Sequence, residues 1–149
     1  KFWPQYLQEW EAHLASLDQK PDWDATEEGR QQKEGLLALA AEQHVTLTVR
    51  GKVVDSTGKP LEGIVVRCGT QRIDINYSMG LAATEEYITT DAAGEFKTKE
   101  LTAWTLSLRY GGKKYQAYQA SYQTKEQLLE LQKNPITITL LPRQEEKAR

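Results

Sequence analysis

An antiparallel β-sandwich preceded by a helical extension is the fold this sequence predicts, and three observations predict it. From Val45 onward, apolar residues recur with a period of two, the pattern of strands with one buried face. Two polar turns, Asp55-Ser56-Thr57-Gly58-Lys59-Pro60 and Asp91-Ala92-Ala93-Gly94, interrupt that pattern where a sandwich needs corners. Before Val45 the period is instead close to 3.6, which is helical. The organisation expected is a helical extension over 1–43, a mainly β domain of about seven to eight strands over 44–142, and a charged tail over 143–149.

The elements follow in order. Phe2, Trp3, Tyr6, Leu7, Trp10, Leu14 and Leu17 are spaced by three and four and form one apolar stripe on a first helix. Lys20-Pro21-Asp22 ends it, because the residue before a proline is pushed out of the helical region. Asp24 or Thr26 caps a second helix, and Glu27 and Glu28 in its first turn favour its dipole. Leu36, Leu37, Leu39, Ala40 and Ala41 give that helix an apolar end, while Gly29 and Gly35 each weaken it by roughly 1 kcal/mol relative to Ala.

Val45, Leu47, Val49, Gly51 and Val53 alternate with polar residues and predict one continuous strand. In the turn after it, Gly58 supplies a positive φ and Pro60 is barred from a central ladder. Ile64, Val66 and Cys68 predict the next strand, and Ile73, Ile75 and Tyr77 another. Residues 78–84 read as a loop. Glu86, Ile88 and Thr90 lead into the second turn, and Phe96 restarts a strand. Trp104, Leu106, Leu108 and Tyr110 alternate most clearly, and Gly111-Gly112 reads as a two-residue hairpin returning through Lys113 to about Ser121. A short helix over 124–131 ends at Asn134-Pro135, before a last strand of Ile136, Ile138 and Leu140.

Composition excludes several classes. A formal net charge of -2 over 149 residues offers no basic field for a phosphate backbone, so nucleic acid is not an expected partner. No apolar run approaches the roughly 20 residues of a membrane span. Cys68 is the only cysteine, so no internal disulfide forms. The chain opens at Lys1 and its one methionine is Met79. We therefore expect that an upstream segment, a signal or anchor among the candidates, has been removed.

Gly51-Lys-Val-Val-Asp-Ser-Thr-Gly-Lys-Pro-Leu-Glu-Gly-Ile-Val-Val resembles the opening of carboxypeptidase regulatory-like domains, of the transthyretin-like or prealbumin-like group, and Thr90-Asp-Ala-Ala-Gly-Glu-Phe96 resembles their second signature. The resemblance covers about Val45 to Leu141. It implies a transthyretin-like sandwich of exported bacterial proteins, periplasmic, extracellular or membrane-anchored, used as an accessory module; it carries no catalytic residue across. The Gly-Tyr element usual before that family's final strand is replaced here by Tyr110-Gly111-Gly112 and the Leu128–Leu131 helix. Ring-cleaving iron dioxygenases share the sandwich class but use two Tyr and two His, and this chain does not place both its histidines in the sandwich. The related purine-breakdown hydrolases end in Tyr-Arg-Gly-Ser, where this chain has Leu140-Leu141-Pro142-Arg143-Gln144.

The chemistry read from the residues agrees. His13 and His44 lie in unrelated places, and a metal centre needs several converging ligands, so neither metal nor cofactor is expected. Cys68 shares the core register of Ile64 and Val66 and reads as a buried, inert thiol rather than a nucleophile. Asp22 and Asp24 read as solvated loop charge. Glu85 and Glu86 are strand neighbours pointing to opposite faces, so they cannot act as a dyad. The 91–95 turn lacks the ligands of a calcium loop. No catalytic residue is expected, and the protein is read as a non-enzyme. Two candidate surfaces remain. Trp3, Tyr6 and Trp10 are candidates for a protein partner or self-association, with packing on the protein's own sandwich or on a membrane surface as alternatives. Tyr115, Tyr118 and Tyr122, near Tyr110, are candidates for stacking on a carbohydrate ligand, with plain core packing as the alternative. An enzyme with an unrecognised site is the third reading.

Overall fold

The computed structural model describes residues 21–77 and 79–143. The stripe of Trp3, Tyr6 and Trp10, and His13, lie outside the described residues. The chain divides into two compact units, one of residues 1–44 with 72–82 and one of 45–71 with 83–149.

In the first unit, a 3-10 turn at Trp23–Ala25 leads into helix α1, Glu27–Gln43. Thr26 is its N-cap, and its hydroxyl accepts from the Gly29 amide at 2.9 Å, satisfying one of the donors a helix start leaves open. The apolar end of α1 is only partly covered: Leu36 packs near Gly80, and Leu37 is 47% exposed. Residues Ile75 and Tyr77 are not a strand. Asp74 closes a turn there, its carboxylate accepting from the Asn76 amide at 2.9 Å and its amide donating to the Gly80 carbonyl at 2.8 Å. Trp23 Nε1 donates to the Ile75 carbonyl at 2.7 Å, which ties the 3-10 turn to that loop.

The second unit is the sandwich. Nine strands occur among the described residues: β1 Val45–Leu47, β2 Arg50–Val54, β3 Val65–Ile73, β4 Leu81–Thr89, β5 Glu95–Lys97, β6 Leu101–Ala103, β7 Thr105–Tyr110, β8 Tyr118–Tyr122 and β9 Ile136–Thr139. They form sheets of order β5-β2-β9 and β4-β3-β7-β8, with the pair β1-β6 as a small third sheet. β1 with β6, β2 with β5, β3 with β7 and β7 with β8 pair antiparallel, and β2 with β9 pairs parallel. Helix α2, Lys125–Lys133, lies between β8 and β9 in the chain. The helix has a full capping box, with Thr124 and Gln127 bonding each other's backbone amides.

Several elements differ from the sequence reading. The continuous strand expected from Val45 is two strands. At Val49 the chain leaves β6 and joins β5 and β9, and Thr98 bridges the gap, its hydroxyl accepting from the Val49 amide at 3.0 Å. Trp104 sits at a bend between β6 and β7 instead of in β7. Residues 81–84, expected in a loop, begin β4. Gly111-Gly112 is not a two-residue hairpin, since the chain re-enters the sheet only at Tyr118. The intervening loop is held instead by the C-terminal segment: Gln116 donates to the carbonyls of Leu141 and Pro142 at 2.9 and 3.0 Å, and Arg143 donates to that of Lys113 at 3.0 Å.

Both long turns form as read. Asp55 Oδ1 accepts from the amides of Thr57 and Lys59, and Asp91 Oδ1 from those of Ala93 and Glu95, so each carboxylate organises its own loop. Residues of all three sheets and α2 meet in one core, where Leu47, Val53, Leu108, Leu128, Ile138 and Leu140 are almost wholly excluded from water. No helix of the described residues is long and apolar enough to cross a membrane.

Candidate functional site

The sheet β4-β3-β7-β8 has one face in the core and one in water, and period-two alternation decides which side chains go where. Val66, Cys68, Leu106, Leu108 and Tyr110 turn inward and are buried. Arg67, Gly69 and Gln71 of β3 therefore face outward, as do Thr105, Ser107 and Arg109 of β7 and Gln119 and Ser121 of β8. Register then places Arg67 directly across from Arg109, and Arg109 directly across from Gln119.

Two hollows share these three side chains. The larger, about 970 Å³, lies where β3 begins and β7 ends, and adds Tyr87 of β4 and Lys114, Tyr115 and Tyr118 from the other side. The smaller, about 370 Å³, continues along the sheet over Gly69, Ser107 and Ser121. Gly69 keeps that floor low, with Ser107 Oγ only 3.2 Å from where a Cβ would stand. The larger hollow is lined by three cationic side chains, Arg67, Arg109 and Lys114, against one carboxylate, Glu62.

Those cations are unevenly compensated. Arg67 Nε is 4.0 Å from Glu85 Oε2, which also accepts from the Tyr87 hydroxyl at 3.1 Å. Arg109 has no carboxylate within ion-pair distance among the described residues and is exposed. Lys114 Nζ lies 6.0 Å from the Tyr115 ring centre, at the outer limit of a cation–π contact.

The tyrosines do not form one surface. Tyr110 is buried, its ring edge-on to that of Tyr115 with centres 6.2 Å apart and planes at 64°. Tyr115 and Tyr118 are half-buried against the core and border the larger hollow. Tyr122 is half-buried too but borders a separate apolar groove beside α2. Burial raises the Tyr118 and Tyr122 hydroxyls above the ordinary tyrosine range, and Tyr118 adds to the shift of Tyr122. The exposed ring of this surface is Tyr87, 64% accessible. Sequence reasoning set Tyr87 apart and passed over Arg67 and Arg109, whose outward parity was visible but whose pairing was not.

Among the described residues, Cys68 and His44 both have structural surroundings. Cys68 is buried, and desolvation, with the nearby Glu86 carboxylate adding to it, pushes its thiol up to about 12. His44 ends α1, where its Nε2 accepts from the Ile73 amide at 2.9 Å. Partial burial and then the Arg72 charge lower its pKa, consistent with a neutral acceptor ring. Glu86 Oε1 accepts weakly from the Lys99 amide at 3.4 Å, and its Oε2 is buried without a partner. No cluster of three or more His, Cys, Asp or Glu suited to a metal occurs among the described residues.

No family model matches the chain, and no curated protein matches it. Solved structures with a similar chain path include a chlorocatechol 1,2-dioxygenase from Pseudomonas putida, 13% identical over 68% of this chain and 61% of that one, with a TM-score of 0.45. The C-terminal domain of the shaft pilin SpaA from Lactobacillus rhamnosus GG is 14% identical over 66% of this chain and 99% of its own, at 0.42. A 3-chlorocatechol 1,2-dioxygenase from Rhodococcus opacus 1CP is 12% identical over 93% of this chain and 98% of its own, at 0.43. At these values the likenesses carry no argument about function. The chain is a mainly β protein of sandwich architecture.

Proposed function

We propose that this protein is a non-catalytic binding module of the carboxypeptidase regulatory-like type, exported or envelope-associated, and that its binding surface is the outer face of the β4-β3-β7-β8 sheet. The observation that carries this reading is the larger hollow. Two arginines, a lysine and four tyrosines line it, of which Tyr87 is the exposed ring, the mix of aromatic and guanidinium groups that recognition surfaces favour. Cys68 and His44 have the structural roles just described, which supports binding over catalysis. The family assignment is supported by the two turn motifs, whose aspartates and glycines do the work the motif spacing implies. A partner or self-association role for Trp3, Tyr6 and Trp10 belongs to the same proposal and rests on the sequence stripe alone.

The test is amide chemical-shift mapping of the whole protein against a panel of oligosaccharides and peptides. The expected result is a set of shifts confined to Arg67, Tyr87, Arg109, Lys114, Tyr118 and their neighbours, with the ligand recovered unchanged. Shifts centred elsewhere, or conversion of the ligand to a product, would refute it.

A further inference from the structure

The central fact of the outer sheet face is an arginine directly opposite an arginine. Arg67 and Arg109 are cross-strand partners on β3 and β7, so their Cβ atoms stand about 5 Å apart on the same side of the sheet. Like charges in that relation destabilise a sheet, and Glu85 partly offsets only Arg67, at 4.0 Å. Two guanidinium groups lining one hollow that opens to water can bind a planar carboxylate, which a guanidinium fork holds by parallel N–H···O bonds.

Position on the sheet narrows the ligand further. β3 and β7 are the two inner strands of the sheet, each hydrogen-bonded on both sides. An extended peptide added as a strand would have to join at β4 or β8, away from the arginine pair. A ligand lying over the pair is recognised by side chains alone. Those beside it are Ser107, Ser121, Gln119 and Gln71, hydroxyls and amides that each donate and accept, with the exposed Tyr87 ring at the rim. Paired donor–acceptor groups suit sugar hydroxyls, and an exposed ring suits a sugar face.

We propose that the Arg67–Arg109 pair is a carboxylate-recognition site and that the ligand class is an acidic polysaccharide, a chain of sugars carrying carboxylates. The proposal rests on the reading of this face as the binding surface, and names what binds there.

The experiment titrates the full chain calorimetrically, at low salt, with an oligomer of galacturonate, with the same oligomer methyl-esterified, and with poly-glutamate, while amide shifts report where each sits. The expected result is that the uronate oligomer binds on the outer face, the ester binds at least about tenfold more weakly, and poly-glutamate does not compete. Arg109→Gln should weaken uronate binding by roughly tenfold or more, as loss of a charge-assisted bond implies. Arg50→Gln, the same charge change on β2 in the other sheet, should leave it unaltered. Thermal melts confirm that both variants fold. If Arg50→Gln and Arg109→Gln weaken binding equally, the attraction is diffuse charge and the site is refuted. If poly-glutamate binds as tightly as the uronate, the sugar class is refuted. If the ester binds as tightly on the same face, the carboxylate inference fails while the binding surface stands. If nothing shifts that face, both fail.

Discussion

A directly opposed arginine pair should weaken the sheet that carries it, and that cost is measurable apart from any ligand. Arg109→Gln keeps two of the three stem methylenes and removes one of two like charges in register on β3 and β7. Cross-strand pairs of this kind are worth about 0.2–1 kcal/mol, so the variant should be more stable by that amount at low salt. With a urea slope of roughly 1–3 kcal/mol/M, the midpoint should rise by a few tenths of a molar. Arg67→Gln makes the control, because it removes the same repulsion together with the 4.0 Å contact to Glu85. An exposed ion pair contributes about 0–1 kcal/mol, so the two losses nearly cancel and the midpoint should hardly move. Salt separates charge from every other effect of the substitution, since the screening length falls from about 10 Å at 0.1 M to about 3 Å at 1 M. Urea titrations of the three proteins at 0.05 and 1 M NaCl, followed by tryptophan fluorescence, give all six midpoints. A gain for Arg109→Gln that survives in 1 M NaCl, or a loss at low salt, would show that the two guanidinium groups do not oppose each other.

Three further predictions concern the frame around the site. Gly58 and Gly94 both have positive φ, 86° and 75°, but only Gly94 is crowded, with Val53 O 2.7 Å from the position of an added Cβ. Gly58→Ala should therefore cost about 1 kcal/mol of strain, and Gly94→Ala roughly 1–3 kcal/mol more because Val53 O is bonded to the Leu61 amide and cannot yield; equal urea midpoints would refute this. Cys68 should resist iodoacetamide at pH 8 in the folded protein and react in urea. Its raised folded pKa also means that stability is fully present below the ordinary value of 9.0 and is lost as pH rises toward about 12, by up to about 1.4 kcal/mol per unit, so Cys68→Ala should flatten the alkaline limb of the stability curve. His44 has a lowered pKa, so the sign reverses: its contribution is present above 6.5 and lost as pH falls through the folded value. Protection of the Ile73 amide against exchange should then drop as the ring protonates in acid, below the ordinary value of 6.5, and be absent at all pH in His44→Phe; unchanged protection in acid would contradict the 2.9 Å bond to Nε2.

How much of this was legible in the sequence depended on the range of the interaction. The turns at Asp55 and Asp91 were readable because a carboxylate bonding its own loop and a glycine at positive φ are local chemistry. The short helix expected over 124–131 also rests on local chemistry, a capping box between Thr124 and Gln127. The break at Val49 was not readable, because burial keeps alternating through Leu47, Val49, Gly51 and Val53 while the hydrogen-bonding partners change beneath it. Only Thr98, far along the chain, marks the change. Gly111-Gly112 misled for a related reason. Two glycines permit a tight hairpin, but the bonds from Gln116 to the Leu141–Pro142 backbone and from Arg143 to Lys113 hold a longer loop. The tyrosines were visible as a cluster in sequence, yet strand geometry separates them: Tyr118 borders the larger hollow, and Tyr122, four residues further along β8, borders another.

The arginine pair was hidden for the deepest reason, and the same reason gives the site its character. Each arginine occupies an ordinary outward position of an amphipathic strand, where a solvated charge needs no explanation. Only register makes them neighbours, and register comes from the buried Cys68–Leu108 and Thr70–Leu106 pairs between them and the rest of the core. Because β3 and β7 are paired on both sides, the Cα positions of Arg67 and Arg109 are fixed by main-chain bonds, and only side-chain rotations remain free. A ligand that neutralises the pair removes a standing repulsion without requiring the backbone to move, so little ordering entropy opposes it. Lys114 and Tyr115 complete the hollow from a loop held to the C-terminal segment at Pro142. The sheet thus supplies the fixed charge and the tethered loop the adjustable rim.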